Sequence, residues 1–289
     1  NRLFEAVRKL REHQNVHLHL DLIAGLPEED INSFRQSFDD VYNARPHQLQ
    51  LGFLKVLHGT TMSHDISTYG ITYRNDPPYE VLKTNALTFS ELCRLKRMEE
   101  MIDLFYNTGR FRCCLTLLEG KISSPFTLFE LLSEFCNRER ADQHSFGKFE
   151  LYQRILTFGC SIGVEETLMK QAVKFDLFHR ERLQILPDFL SLNITKQNSE
   201  EVIAKKKAGR IPSSHHLEHF DYFFAGNFER GSFWYAFNYS DKDLYGNSLI
   251  SILRRAVSIA TRAFFGISNC VGAAAGAGWL DVPFISDRT

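Results

Sequence analysis

The 289-residue chain has no surplus of charge: 34 Lys and Arg stand against 35 Asp and Glu, a formal net charge of -1. That balance excludes a general electrostatic pull toward nucleic acid or an anionic membrane, so any partner has to be recognised locally. The six cysteines, at 93, 113, 114, 136, 160 and 270, show no short metal-binding spacing, and no signal-like segment precedes them. Unpaired thiols in a reducing cytoplasm, buried as small apolar side chains, are the expectation. A membrane span is not expected either. The uncharged stretch 263–280 is broken by four glycines and Asn269, and a packed terminal helix with a flexible end is expected there instead.

What is present is a globular composition, 44% hydrophobic and 24% charged, long enough for two cores. Its most informative stretch is residues 16–29, VHLHLDLIAGLPEE. Val16, Leu18, Leu20 and Leu22 alternate with His17, His19, Asp21 and Ile23, which gives a strand one apolar and one largely polar face. A helix at 2–11 precedes it, and a second helix follows with Ile31, Phe34, Phe38 and Val41 at helical spacing. Residues 47–57, HQLQLGFLKVL, read as the next strand, with Leu49, Leu51 and Phe53 opposed to Gln48, Gln50 and Gly52. A helical crossover of this length predicts parallel pairing of the two strands. A parallel strand that runs into a tight turn and then a helix is where α/β folds bind ligands.

Residues 62–83 contain Gly70, Asn75, Asp76, Pro77 and Pro78 without helical periodicity and read as a long loop. Thr88 to Glu91 forms a capping box ahead of the stripe Leu92, Leu95, Met98, Ile102 and Phe105, closed by Gly109. Ser124-Pro125 starts a further helix with Leu128, Leu131, Leu132 and Phe135 as its apolar positions, and 149–157 and 165–186 continue the helical bundle. Aromatic-rich segments at 216–224 and 232–239 predict a short antiparallel pair. Most of the 25 phenylalanines lie after position 100, consistent with aromatic core packing.

DLIAGLPEE, followed by LQLGFLKVLHGT at 49–60, resembles the radical S-adenosylmethionine superfamily, in the branch that carries an N-terminal cobalamin-binding domain. In that superfamily the fifth barrel strand has a GxIxGxxE-like pattern beside the cofactor adenine. Ile23, Gly25 and Glu28 fall on its last three fixed positions, Asp21 replaces its first glycine, and Glu28-Glu29 stands where Gly-Glu is commoner. The resemblance implies that Ile23, Gly25, Glu28 and Leu54 contact S-adenosylmethionine. PPYEVL at 77–82 and FYNTGRF at 105–111 resemble the uncharacterised helical domain appended to one branch of these proteins, with coverage reaching residue 245.

The fold class that follows is an α/β partial TIM-like barrel over 1–84, a mostly helical accessory domain with a short antiparallel β element over 85–246, and an atypical tail over 247–289. The intact parent is expected to use S-adenosylmethionine, a 4Fe-4S cluster and cobalamin, with methyl transfer to an unreactive carbon as the candidate reaction. The cluster needs a CxxxCxxC loop, because three thiolates leave one iron open to the cofactor. No such triplet occurs here. The chain opens at Asn1 inside a helix with no preceding strand, and is read as a C-terminal portion, inactive alone, whose partners are the rest of the barrel, the cobalamin domain and an unknown substrate. Self-association through the open edge at 17–23 is also expected.

Three further readings come from the residues. His17, His19 and Asp21 are substrate-orienting candidates, or with a divalent metal the site of a barrel hydrolase. His215, His216, Glu218, His219 and Asp221 are the densest ligand-type cluster, in which His215, His219 and Asp221 share a strand face. Lys205 to Lys207 with Arg210 read as a solvated loop. The alternative to an enzyme is a non-catalytic module that docks a protein or RNA.

Overall fold

The computed structural model describes residues 2–12, 16–138, 146–190, 199–208, 211–212, 214–224 and 227–253. The chain divides into two compact units, Asn1–Gly109 with Leu118–Ser145, and Arg110–Leu117 with Phe146–Thr289.

In the first unit, α1 (Arg2–Glu12), β1 (His19–Ala24), α2 (Ile31–Asn43) and β2 (Gln48–Phe53) follow in that order. β1 and β2 pair in parallel, with His19 opposite Gln48, Asp21 opposite Gln50 and Ile23 opposite Gly52. Leu18, Ala24, Leu49 and Leu51 are buried, while His19, Asp21 and Gln50 are exposed. The period of two in the sequence is therefore the period of burial. Both strands are shorter than their apolar runs: Val16 and His17 precede β1, and after Phe53 the chain leaves the ladder to bond with residues 79–81.

Phe34, Phe38 and Tyr42 form the buried stripe of α2, and Phe126 and Phe129 of α6 (Pro125–Arg138) meet them edge-on. Arg45 donates twice to Glu119, at 2.8 and 2.7 Å, and the Tyr42 hydroxyl donates to the same carboxylate at 2.6 Å. The compact units thus fall differently from a boundary at 84/85. The apolar stripes of α4 (Phe89–Met101) and α6 cover α2 and the strand pair, which keeps both helices in the first unit. The capping box at Thr88 and Glu91 forms as expected, but α4 passes into a π-helical turn, Ile102–Asn107, before Gly109 adopts a positive φ of 63°.

That turn brings Asn107 against β2. Its carboxamide accepts from the Leu49 amide and donates to the Leu49 carbonyl, both at 2.9 Å, as a neighbouring strand would. Replacing Asn107 with Ala leaves both groups without these partners, at roughly 1–3 kcal/mol for each buried group. Urea unfolding is expected to show a loss of about 2 kcal/mol or more, and a loss below about 0.5 kcal/mol would show that water restores the bonds.

The expected long loop at 62–83 is partly structured. It holds α3 (Thr61–His64), β3 (Thr72–Tyr73) and β4 (Val81–Lys83), the two strands antiparallel. Strands of two and three residues are too short to leave a periodic signal. In α6, Leu131 is exposed rather than part of the apolar stripe, and Phe129 takes its place in the core.

In the second unit, α7 (Lys148–Ser161) and α8 (Glu166–Arg180) pack together, and α8 lies on a three-stranded antiparallel sheet of β5 (His216–Tyr222), β6 (Arg230–Lys242) and β7 (Ser248–Leu253). Phe175 of α8 is centred among Phe220, Phe224, Tyr235 and Phe237, at ring distances of 5.0–5.8 Å. Leu217, Trp234 and Ala236 form the core of the other face with Val202 of α9 (Ser199–Ala208) and Ile211. Three corrections follow. α8 stops at Arg180, before the residue expected from Pro187. The lysine run read as loop lies in α9, where Lys206 donates to the His215 carbonyl. The tail expected from 247 begins as β7, paired with β6. Residues 254–289, and with them the uncharged stretch, lie outside the described residues, as does Arg210. Among the described residues no helix is long and apolar enough to cross a membrane.

The first residues of α5 (Arg112–Glu119) belong to this second unit. Asp176 of α8 accepts from the amides of Cys113 and Cys114 at 3.1 and 2.9 Å, and so caps the start of α5 from inside the core. Cys113 and Cys114 are fully buried, and burial, with the Asp176 carboxylate next, pushes both thiols well up. Among the described residues Cys93, Cys113, Cys114, Cys136 and Cys160 form no disulfide.

Candidate functional site

The polar face of β1–β2 presents His19, Asp21 and Ile23 beside Gln48, Gln50 and Gly52. His19 Nε2 lies 3.0 Å from an Asp21 carboxylate oxygen, the distance expected for same-face neighbours two residues apart. Ile23 is 47% exposed, unusual for a large aliphatic side chain at the end of a parallel strand. Its register partner Gly52 carries no side chain, and a Cβ there would meet only the Leu22 carbonyl oxygen, at 3.6 Å. Ile23 and half-buried Gly52 thus stand side by side at the carboxyl end of the strand pair.

Gly25 follows the strand with φ +89°, a conformation that favours glycine. A Cβ at Gly25 would stand 3.6 Å from Val81, 3.7 Å from Leu54 and 3.8 Å from Leu92. Leu54 thus packs against the backbone of Gly25, and protein side chains line that side of the turn. Glu28 is exposed with φ 64°. Glu29 is half-buried and accepts from the Ser37 hydroxyl at 3.4 Å, and its carboxyl is raised chiefly by burial.

The start of α2 is partly capped from within the chain. Its amides are not all open to a ligand, because Asp30 accepts from the amides of Asn32 and Ser33 at 3.0 and 2.8 Å. These bonds hold its carboxyl below the usual range.

The three substrate-orienting candidates divide into two pairs. His19 joins Asp21, whereas the His17 ring stacks on His47 with centroids 5.1 Å apart and planes inclined by 28°. His47 Nδ1 accepts from the Leu18 amide at 2.9 Å, so the proton of neutral His47 sits on Nε2. His47 was not singled out in the sequence, and its position beside Pro46, at the start of a strand, was the available signal.

The histidine cluster of β5 divides in the same way. His216 Nε2 lies 3.1 Å from Glu218, whose other oxygen meets Lys174 at 2.5 Å. His219 Nε2 lies 2.8 Å from the Ser232 hydroxyl. Asp221 is held by Gln171, which donates to its carboxylate at 2.6 Å and accepts from its amide at 2.8 Å. Among the described residues no group of three His, Cys, Asp or Glu side chains is arranged to hold a metal ion.

No curated protein matches the chain. Residues 67–246, more than half of its length, match the family described as "Protein of unknown function (DUF4080)", a span that begins after β2 and ends before β7. The chain therefore belongs to the DUF4080 family.

Proposed function

We propose that β1 and β2 supply the adenine side of an S-adenosylmethionine site in a radical S-adenosylmethionine enzyme built on a partial TIM-like barrel. The observation that carries this reading is the parallel register that sets exposed Ile23 beside side-chain-free Gly52 at the carboxyl ends of both strands. A flat aromatic base needs such a floor, because burial of its face is favourable only against apolar surface without projecting atoms. In this reading Ile23 supplies the contact, Gly52 leaves it open, and Gly25 with Leu54 fixes the turn that bounds it. Glu28, exposed beyond the turn, is the acceptor closest in sequence for the nucleoside's polar edge. His19 and Asp21, paired on the same face, orient the substrate.

When bound, S-adenosylmethionine and a reduced 4Fe-4S cluster supply radical chemistry, and cobalamin supplies a transferable methyl group. The sequence holds no CxxxCxxC triplet, so the cluster ligands would come from residues beyond these 289, together with the cobalamin domain. A reducing, cytoplasmic setting suits such a cluster.

The test uses the full natural protein, reconstituted with iron and sulfide without oxygen. With dithionite and S-adenosylmethionine it is expected to release 5′-deoxyadenosine and methionine, and a loaded protein that releases neither overturns the assignment. Equilibrium dialysis with labelled S-adenosylmethionine provides a readout independent of turnover. Ile23→Glu is expected to weaken binding at least tenfold without lowering the melting temperature, since Ile23 is 47% exposed. Unchanged affinity would remove the adenine from Ile23.

A further inference from the structure

β5 and β6 pair one to one from His216 opposite Phe237 to Phe220 opposite Phe233, but the next pair is Tyr222 opposite Arg230. Asp221 therefore stands against two residues, Gly231 and Ser232, and the ladder bulges. Bulges re-aim side chains, and they are over-represented beside active sites. A Cβ at Gly231 would lie 2.7 Å from the Phe233 ring, so a larger residue there would have to displace that ring.

The bulge puts three residues in the order that nucleophilic catalysis uses. Ser232 Oγ is 2.8 Å from His219 Nε2, within reach of a general base. The other ring nitrogen, Nδ1, faces an Asp221 carboxylate oxygen at 3.9 Å, within ion-pair range and longer than a hydrogen bond. Asp221 is itself fixed by Gln171, which is 3% exposed and bonded to both its carboxylate and its amide. The Trp234 ring meets His219 edge-on at 5.3 Å and walls the imidazole. Ser232 and Asp221 are exposed, so a carbonyl can reach Oγ without any opening of the fold.

We propose that Ser232, His219 and Asp221 form a nucleophilic site for small, unhindered acyl esters, sharing no residue with the strand-end site. Ser232 Oγ bonds to the ester carbonyl carbon while its proton passes to His219 Nε2, with Asp221 facing the imidazolium that results. The bond from carbonyl carbon to the alcohol oxygen breaks, and that oxygen leaves with the proton from His219. Water then adds to the acyl carbon, giving its proton to His219, and the acid departs as the proton returns to Ser232.

The 289-residue chain is treated with a fluorophosphonate probe and assayed with p-nitrophenyl acetate. Mass mapping is expected to find the label on Ser232 and to lose it in Ser232→Ala. His219→Gln should slow labelling at least tenfold and abolish its rise with imidazole deprotonation, and Asp221→Asn should slow it severalfold. All three side chains are at least partly exposed, so melting temperatures should stay within a few degrees of the parent. Labelling of Ser232 at a rate indifferent to His219, or no labelling of folded protein, overturns the proposal.

Discussion

Asp176→Asn is expected to abolish a fall in stability that the unchanged protein undergoes as pH rises from about 4 to about 7. Asp176 is 1% exposed, and burial raises its carboxyl to about 7 despite the opposing amide and thiol bonds from Cys114, the Cys113 amide and the nearby Arg112. A carboxyl raised above its unfolded value of 3.8 contributes stability that is full below that value and lost as pH climbs through the folded one. Each pKa unit of separation corresponds to about 1.4 kcal/mol, which makes this the larger of the two pH effects in the second unit.

His179 works in the opposite direction. Burial lowers it to about 4, against the pull of Asp243, so its contribution is present above 6.5 and lost as pH falls through about 4. The two partly cancel in the parent. Urea unfolding from pH 4 to 8 should therefore give Asp176→Asn a profile that rises with pH through this window and His179→Gln one that falls. Parallel profiles for parent and Asp176→Asn would mean that Asp176 is ionised throughout. Asp176→Ala tests the capping separately, because it leaves the amides of Cys113 and Cys114 without these acceptors, at roughly 1–3 kcal/mol each.

The second large effect is expected at Lys174, 1% exposed, which donates to Glu218 at 2.5 Å and to the His219 carbonyl at 3.3 Å and lies 4.8 Å over the Phe220 ring. Burial pushes the Glu218 carboxyl up, but the His216 hydrogen bond and the Lys174 charge outweigh it and hold the group below its usual value. Lys174→Met removes the cation and leaves a largely buried carboxylate without its ammonium partner. Breaking such a pair costs roughly 3–5 kcal/mol, whereas replacing both members can be nearly neutral. At pH 7 the single variant should lose about that much in chemical denaturation, and Lys174→Met with Glu218→Gln should recover most of it. A single variant within about 1 kcal/mol of the parent would show that solvent reaches Glu218.

Where the sequence could be read, one local rule was at work. The period of two in 18–24 marked the buried face of β1, and the crossover length marked its parallel pairing with β2. Thr88 and Glu91 marked the start of α4, and Ser124-Pro125 the start of α6. What could not be read depends on partners distant in the chain. Asp176 lies in a polar-looking stretch, FDLFHR, and only the packing of α8 on the start of α5 buries it. Ser232 meets His219 only because β5 pairs with β6 in the register that sets His219 opposite Trp234. The π-helical turn at 102–107 keeps the apolar positions of an ordinary helix end, so nothing in the pattern shows that it delivers Asn107 to β2. In the strand-end site Ile23, Gly25 and Asp21 could be picked out, whereas the partition of His17 to His47 could not.

The carboxamide of Asn107 also gives the parallel sheet a direction. The Leu18 and Ala24 carbonyls accept from the amides of Gln48 and Leu54, so by alternation the backbone groups of His19, Asp21 and Ile23 face away from β2. On the other flank Leu49 has both of its groups engaged by Asn107. A newcomer strand would have to evict a side chain to dock beside β2, whereas among the described residues no side chain bonds the backbone groups of His19, Asp21 or Ile23. The sheet is thus terminated beside β2, and β1 is the margin at which a further strand can pair.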